Sequence, residues 1–367
     1  MTNRIYIAAT SQHVGKTTCT LGIFSALREM GYHVGYCKPV GQEFVDLGDL
    51  KVDKDALLFA RMMNFELSAD EHSPVIVGSG LTTAYIDNPV QFHFKERIIN
   101  ASELLHKKHD IVIYEGTGHP GVGSVIDLSN AQVASALDAG VIMIAEGGIG
   151  STIDDLNVKL SLFREENVKI RGVILNKVLP EKLEKVRHYV SKKLEQMKIP
   201  LLGTLPFDKN LTFPIMETIR RAVNGQTLFN EDKLDNWVEN IISGSLVERD
   251  EVESFQRLLL IVGFRRINDV IDKLEELARK RMVENLQLSG ILVIGERNYV
   301  PEFLANFTRK DYIEQNKIPV IATTLDSYGA AQKISKIEVK INLRTPWKVE
   351  RAIQIVKDHV NLSGLLD

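Results

Sequence analysis

The residues of this chain best suited to handling phosphate stand in one short run, Thr10-Ser11-Gln12-His13-Val14-Gly15-Lys16-Thr17-Thr18. The run ends in Gly-Lys-Thr, just where an apolar-periodic segment begins. In such a turn the backbone N–H groups and the N-terminus of the following helix point at an anion, and the helix dipole favours it. Lys16 is then set to reach terminal phosphates, and the Thr17 hydroxyl to ligate Mg²⁺. The general pattern Gly-x-x-x-x-Gly-Lys-Ser/Thr has glycine where Thr10 stands here, so the loop must avoid positive φ at that point. The plainer alternative is a strand, a turn and a helix that happens to start with lysine. A cation at the positive end of a helix is disfavoured unless an anion neutralises it, which favours nucleotide.

A second group of chemically able residues lies further on. Asp110 to Tyr114 reads as a buried strand, and Glu115-Gly116-Thr117-Gly118 ends it. An acid at the tip of a hydrophobic strand is the second half of a phosphate-loop site, and a buried, unpaired carboxylate would be a costly packing choice. Thr17, Asp55 and Glu115 together offer the oxygen ligands that a hard cation such as Mg²⁺ takes. Taken alone, Asp53 reads as an N-cap and Asp55 as a first-turn acid. Gly116 lets backbone approach a ligand. Lys38 follows the strand His33 to Cys37 and precedes Pro39, which forbids further regular pairing. It therefore stands on the carboxyl edge, where doubly wound sheets bind ligands. Further tips carry the glycine-rich loop from Glu146 to Asp154 and the pair Asn176-Lys177.

These residues need elements to hold them. Arg4 to Ile7 reads as a strand and Cys19 to Leu27 as a helix. Residues 66–87 read as irregular, and Pro89 to Lys108 as a helix with Val90, Phe94, Ile98, Leu104 and Leu105 apolar. Strands follow over Gly140 to Ala145, Val168 to Leu175 and Pro200 to Pro206. Helices over Ala131 to Asp138, Ile153 to Glu166 and Glu181 to Met197 separate them. The alternation predicts an α/β fold, a parallel sheet with helices on both faces. Residues 213–256 read as a polar helical connector. A second alternating block over 257–367, with a last helix from Pro346 to Val360, reads as a smaller α/β domain. The domains predicted are thus 1–212, 213–256 and 257–367.

The chain has 367 residues, 44% of them hydrophobic and 25% charged, which suggests neither disorder nor a membrane protein. A net charge of −3 gives no nucleic-acid footprint, and no run of about 18 apolar residues is present. Cys19 and Cys37 make neither a disulfide framework nor a metal site. The expectation is a cytoplasmic homo-oligomer that engages no membrane.

The loop Ala9 to Thr18, Lys38-Pro39-Val40, Glu115 to Gly118 and Asn176-Lys177 together resemble dethiobiotin synthetases in order and spacing. That family has the same threonine at the position of the missing glycine. The resemblance spans about residues 2–212 and implies MgATP as cofactor. Lys16 would lie on the phosphates, Thr17, Asp55 and Glu115 around Mg²⁺, and Asn176 near adenine, with Lys38 helping to orient substrate. Two stretches, Ile5 to Gln12 and Gly147 to Asp154, are more similar to the synthetase-like N-terminal region of long phosphotransacetylases. The second block resembles the DRTGG domain that follows in those proteins, through Gly263-Phe264-Arg265 and Leu288-Ser289-Gly290. Since the chain stops at Asp367, the acetyltransferase domain is expected to be absent.

The resemblance implies one of two functions. One is a regulatory protein that senses MgATP and signals through the second domain. The other is an ATP-dependent synthetase that phosphorylates a carboxylate or carbamate. Ser73-Pro74-Val75 stands where synthetases carry a Pro-His element, which weighs against their substrate. Cobyrinate diamide synthases use a cysteine nucleophile in a further domain, and both cysteines here precede Lys38. The ParA-like ATPases have an additional early lysine where this chain has Ser11 and Gln12. The balance favours a regulator.

Overall fold

The computed structural model describes residues 3–48, 50–284, 286–295 and 300–363. The chain divides into two compact units, one running to Asp208 and resuming at Ile341, the other from Lys209 to Lys340.

The first unit opens with β1 (Arg4–Ala9), α1 (Lys16–Glu29) and β2 (Val34–Cys37). Short pieces follow: β3 (Val40–Gly41), β4 (Phe44–Asp46), β5 (Lys51–Asp53), α2 (Lys54–Met63), α3 (Ala69–His72), β6 (Val75–Ile76) and α4 (Leu81–Asp87). The regular alternation then resumes with α5 (Phe94–His106), β7 (Ile111–Glu115), α6 (Asn130–Ala136) and β8 (Gly140–Glu146). It continues through α7 (Gly150–Glu165), β9 (Ile170–Val178), α8 (Leu183–Gln196) and β10 (Leu201–Pro206). Six strands form one parallel sheet in the order β10-β9-β8-β1-β7-β2, as the α/β alternation predicts.

Side chains alternate across a strand. Tyr6, Val112, Tyr114, Val141, Met143, Val173 and Leu175 share one core with α5, α6, α7 and α8. Ile5, Ile7, Ile113, Ile142 and Ile144 are buried on the opposite face, where α1 packs on β1 and β7. The loops leaving the adjacent strands β1 and β8 therefore run to opposite faces. In doubly wound sheets such a divergence marks the ligand position at the carboxyl edge.

The second unit contains α9 (Met216–Ala222), β11 (Gln226–Phe229), β12 (Asn240–Ser243), α10 (Gly244–Glu248), β13 (Leu258–Gly263) and α11 (Ile267–Lys280). After these come β14 (Leu288–Ile294), α12 (Val300–Asn306), α13 (Lys310–Gln315), β15 (Val320–Thr323) and α14 (Ser327–Ser335). Its sheet runs β11-β15-β14-β13-β12, parallel except for β11. Leu258, Leu260, Ile291 and Val320 face the core with α11 and α13. Leu259, Ile261, Leu292 and Ile321 face α9 and α14.

Several expectations change. Residues 213–256 are no helical connector: β11 and β12 lie there, strands of the second sheet that are four residues each and half-buried. The second block does not run to the end of the chain. Its last helix, α15 (Pro346–His359), belongs to the first unit and packs on α1. The segment 66–87 carries two short helices and the two-residue strand β6, which pairs with β3. The helix foreseen from Pro89 starts at Phe94, because His93 takes the left-handed conformation at φ 33° after a 3-10 turn. Val90, outside that helix, is 80% exposed, whereas Phe94, Ile98 and Leu105 enter the core.

Candidate functional site

The loop after β1 is shaped by two left-handed residues, His13 at φ 59° and Gly15 at φ 102°. Thr10 is not among them, which is how a threonine stands there without strain. Its N–H donates to the Ile144 carbonyl at 2.9 Å, tying the loop to β8. Gly15 has a second reason for its identity: a Cβ there would fall 2.2 Å from Asn176 Nδ2. Asn176 donates through that nitrogen to the Val14 carbonyl at 2.7 Å, and Lys177 Nζ donates to the His13 carbonyl at 2.6 Å. The tip of β9 thus holds the back of the loop. Asn176 is buried and supports the loop directly, a role its spacing alone did not reveal. Ser11, Gln12 and His13 are exposed along the rim, Val14 is buried, and Thr18 is half-buried.

Lys16 begins α1 and folds back across the loop. Its Nζ donates to the carbonyls of Gly118 at 2.7 Å and Ser11 at 3.4 Å. Thr17 Oγ1 donates to Glu115 Oε1 at 2.9 Å. The end of α1 and the tip of β7 therefore meet, as the register of Ile7 beside Glu115 requires.

Behind Glu115 lies a buried charge cluster. Lys38 Nζ donates to Asp55 Oδ2 at 2.7 Å, the Gly116 carbonyl at 3.2 Å and Glu115 Oε1 at 3.4 Å. Asp53 caps α2, accepting from the Asp55 N–H at 2.8 Å, and its own N–H donates to Ser73 Oγ at 2.9 Å. A Cβ on Gly41 would lie 2.5 Å from Asp53 Oδ2, so glycine admits the carboxylate. Tyr36 offers its hydroxyl to Glu115 Oε2 at the outer limit of 3.5 Å.

The electrostatics follow from burial. Desolvation raises the Glu115 carboxyl, Lys38 pulls it back, and Asp55 raises it again. Burial also pushes Asp53 up, to about 7, with Lys38 opposing. Burial alone would lower the Lys38 ammonium, but Asp55, Glu115 and Asp53 outweigh it and leave it raised. The cluster holds three carboxylates, Asp53, Asp55 and Glu115, around the one ammonium of Lys38.

The residues present fit a divalent cation. Two carboxylates and the Thr17 hydroxyl are the partial oxygen set of an ion that fills its shell with phosphate and water. Among the described residues no group of three or more His, Cys, Asp or Glu is placed to hold a metal by itself. That distinction separates a metal–phosphate site from a closed protein cage. Mg²⁺ bound with nucleotide would supply charge neutralisation at the phosphates.

Sequence reasoning missed Asn130. Its Oδ1 accepts from the Tyr6 hydroxyl at 2.8 Å and the Thr117 N–H at 3.0 Å. Its Nδ2 donates to the carbonyls of Thr117 at 2.8 Å and His119 at 2.7 Å. A single amide thus fixes the chain just after β7. The only signal in the sequence was a polar residue opening an apolar helix.

A profile described as an AAA domain matches residues 3–214. A phosphate acetyltransferase of Nitrosomonas europaea is 23% identical over 372 residues, spanning 97% of this chain and 50% of the relative. A probable cobyric acid synthase of Methanosphaera stadtmanae is 26% identical over 372 residues, spanning 92% of this chain and 64% of the relative. An ATP-dependent dethiobiotin synthetase of Clostridium kluyveri is 23% identical over 254 residues, spanning 66% of this chain and 100% of the relative. The chain spans about half the length of the phosphate acetyltransferase it matches.

Proposed function

The chain belongs to the AAA_26 family of AAA domains, and from that premise we propose that it binds MgATP on the Thr10–Thr18 loop and acts as a nucleotide-responsive regulatory module. The carrying observation is the meeting of Thr17 Oγ1 with Glu115 Oε1 at 2.9 Å, beside Lys16 and above the Lys38–Asp55 pair. A hydroxyl, two carboxylates and two ammonium groups on one sheet edge match the needs of a metal-bound polyphosphate. In this reading Lys16 and the loop N–H groups take the phosphates. Thr17, Asp55 and Glu115 take Mg²⁺, and the unit over 209–340 receives the signal. Similarity to phosphate acetyltransferases along 97% of the chain supports a module of that architecture.

The synthetase reading has support of its own in the likeness to a dethiobiotin synthetase. It requires a clamp for a second substrate beside the γ-phosphate, because orientation supplies much of the rate. Ser73 is committed to the Asp53 N–H and is buried, so this stretch serves the scaffold. We expect no dethiobiotin from diaminopelargonate, ATP and bicarbonate, even at high protein concentration. We also expect MgATP to change the protease cleavage pattern within residues 209–340. Product above background would replace the regulatory reading with the synthetase one, and a digestion pattern indifferent to MgATP would remove the regulatory one.

A further inference from the structure

We propose that Lys38 is a built-in counter-ion that holds the metal position shut in the nucleotide-free chain, so that the site refuses a free divalent ion and admits it only with nucleotide. The inference rests on the MgATP reading and concerns how that site is filled.

An ammonium has three N–H donors. Those of Lys38 are matched by three oxygens, Asp55 Oδ2 at 2.7 Å, the Gly116 carbonyl at 3.2 Å and Glu115 Oε1 at 3.4 Å. The side chain is 6% exposed and that of Glu115 is 1% exposed, while Asp55 is 32% exposed, so water reaches the cluster only from the Asp55 side. Glu115 Oε1 is also the oxygen that accepts from Thr17 Oγ1. One oxygen of each carboxylate that would ligate a cation is therefore already engaged by Lys38. A doubly charged ion taken up there competes with Nζ for the same lone pairs, and the two positive charges repel strongly in a buried setting.

Free Mg²⁺ must also shed tightly held water to enter. Nucleotide changes this balance. Its phosphates bring negative charge that offsets the repulsion and offer the displaced ammonium a new anion. Lys38 then imposes an order: metal and phosphate arrive together or not at all.

The test is Mn²⁺ binding to the nucleotide-free chain, followed by electron paramagnetic resonance, for wild type, Lys38→Met and Lys38→Arg. The titrations are repeated with ADP present. Lys38→Met should bind Mn²⁺ about tenfold or more tightly than wild type, since the competing charge is gone. Lys38→Arg keeps the charge and should stay near wild type. If Lys38→Met fails to fold, Lys38→Gln keeps a donor for Asp55 and should show the same gain. In the wild-type chain, the ¹⁵N resonance of the Lys38 ammonium should stay put in millimolar Mg²⁺ and move with MgADP.

Folded Lys38→Met or Lys38→Gln that gains no Mn²⁺ affinity, while Mn²⁺–ADP still binds wild type, overturns the counter-ion alone. A Lys38 resonance that moves with Mg²⁺ alone overturns it as well. If Mn²⁺–ADP binds neither wild type nor variant, the nucleotide reading falls and the proposal with it.

Discussion

At the scale of single residues, the candidate site gathers buried carboxylates beside the loop after β1. Glu115 is the pivot. It faces Thr17 on one side and Lys38 on the other, at 2.9 and 3.4 Å from the same oxygen. Removing its charge while keeping its shape separates a metal ligand from a structural residue. Glu115→Gln should weaken ATP binding by about 1.5–3 kcal/mol when Mg²⁺ is present and much less in EDTA. Paired calorimetric titrations decide this, and equal losses in both would leave Glu115 a scaffold residue. Lys38 and Glu115 could be placed on one edge because both follow strands of an alternating sheet, whereas Asp55, in the first turn of α2, taken alone read as a first-turn acid. Asn130 and Tyr36 were not legible, since their partners are remote in sequence: Asn130 meets a hydroxyl 124 residues away. Asp53 was read as a helix cap, which it is. Its place in the charge cluster depended on the fold bringing Lys38 beside it.

At the scale of elements, strands and helices of the first unit were legible wherever apolar periodicity decided them. The failures have physical causes. β11 and β12 are short and half-buried, so their sequences lack the apolar run that marked the central strands. The attachment of α15 is a long-range fact recorded in a single glycine. A Cβ on Gly22, in the middle of α1, would fall 2.2 Å from Val356 Cβ on α15. Gly22→Leu gains helix propensity of up to about 1 kcal/mol, but the overpacking costs about 1–3 kcal/mol or more. The clash should win, and thermal unfolding should show a lower midpoint for the variant. An unchanged or higher midpoint would mean that α15 does not pack there.

Glu217 offers a test in the second unit. It accepts from Arg220 at 2.7 and 2.9 Å and from Arg221 at 2.6 Å. The hydrogen bond from Arg220 leads in depressing its carboxyl to about 2, with Arg221 adding to it and burial opposing. A carboxyl lowered on folding contributes stability above its unfolded value of about 4.3 and loses it as pH falls toward 2. With Arg221 largely exposed, solvent screening trims the contribution to about 1–2 kcal/mol. Wild type should exceed Glu217→Gln by that margin at pH 7, and the difference should fade between pH 4.3 and 2 in denaturant titrations. A gap that stays constant down to pH 2 would contradict the assignment.

At the scale of the whole molecule, the chain leaves the first unit at Asp208, builds the second, and returns at Ile341. Alternation was read as α/β bodies over 1–212 and 257–367 with a connector between, and the chain divides along other bounds. The return was illegible, because the last helix is amphipathic and a helix of that kind packs equally well on either sheet by pattern alone. Among the described residues no helix is long and apolar enough to cross a membrane.

The central claim is that the loop from Thr10 to Thr18 binds MgATP, and Lys16 is its most exposed point of failure. Lys16 now rests on the carbonyls of Gly118 and Ser11, contacts that a phosphate would replace with a charge-assisted one worth about 2–3 kcal/mol. The direct measurement is calorimetric titration of MgATP into wild type and Lys16→Ala under identical conditions. The account predicts saturable binding to wild type and a loss of about thirtyfold or more in the variant. Equal affinity in the two chains, or no binding to wild type, would contradict it.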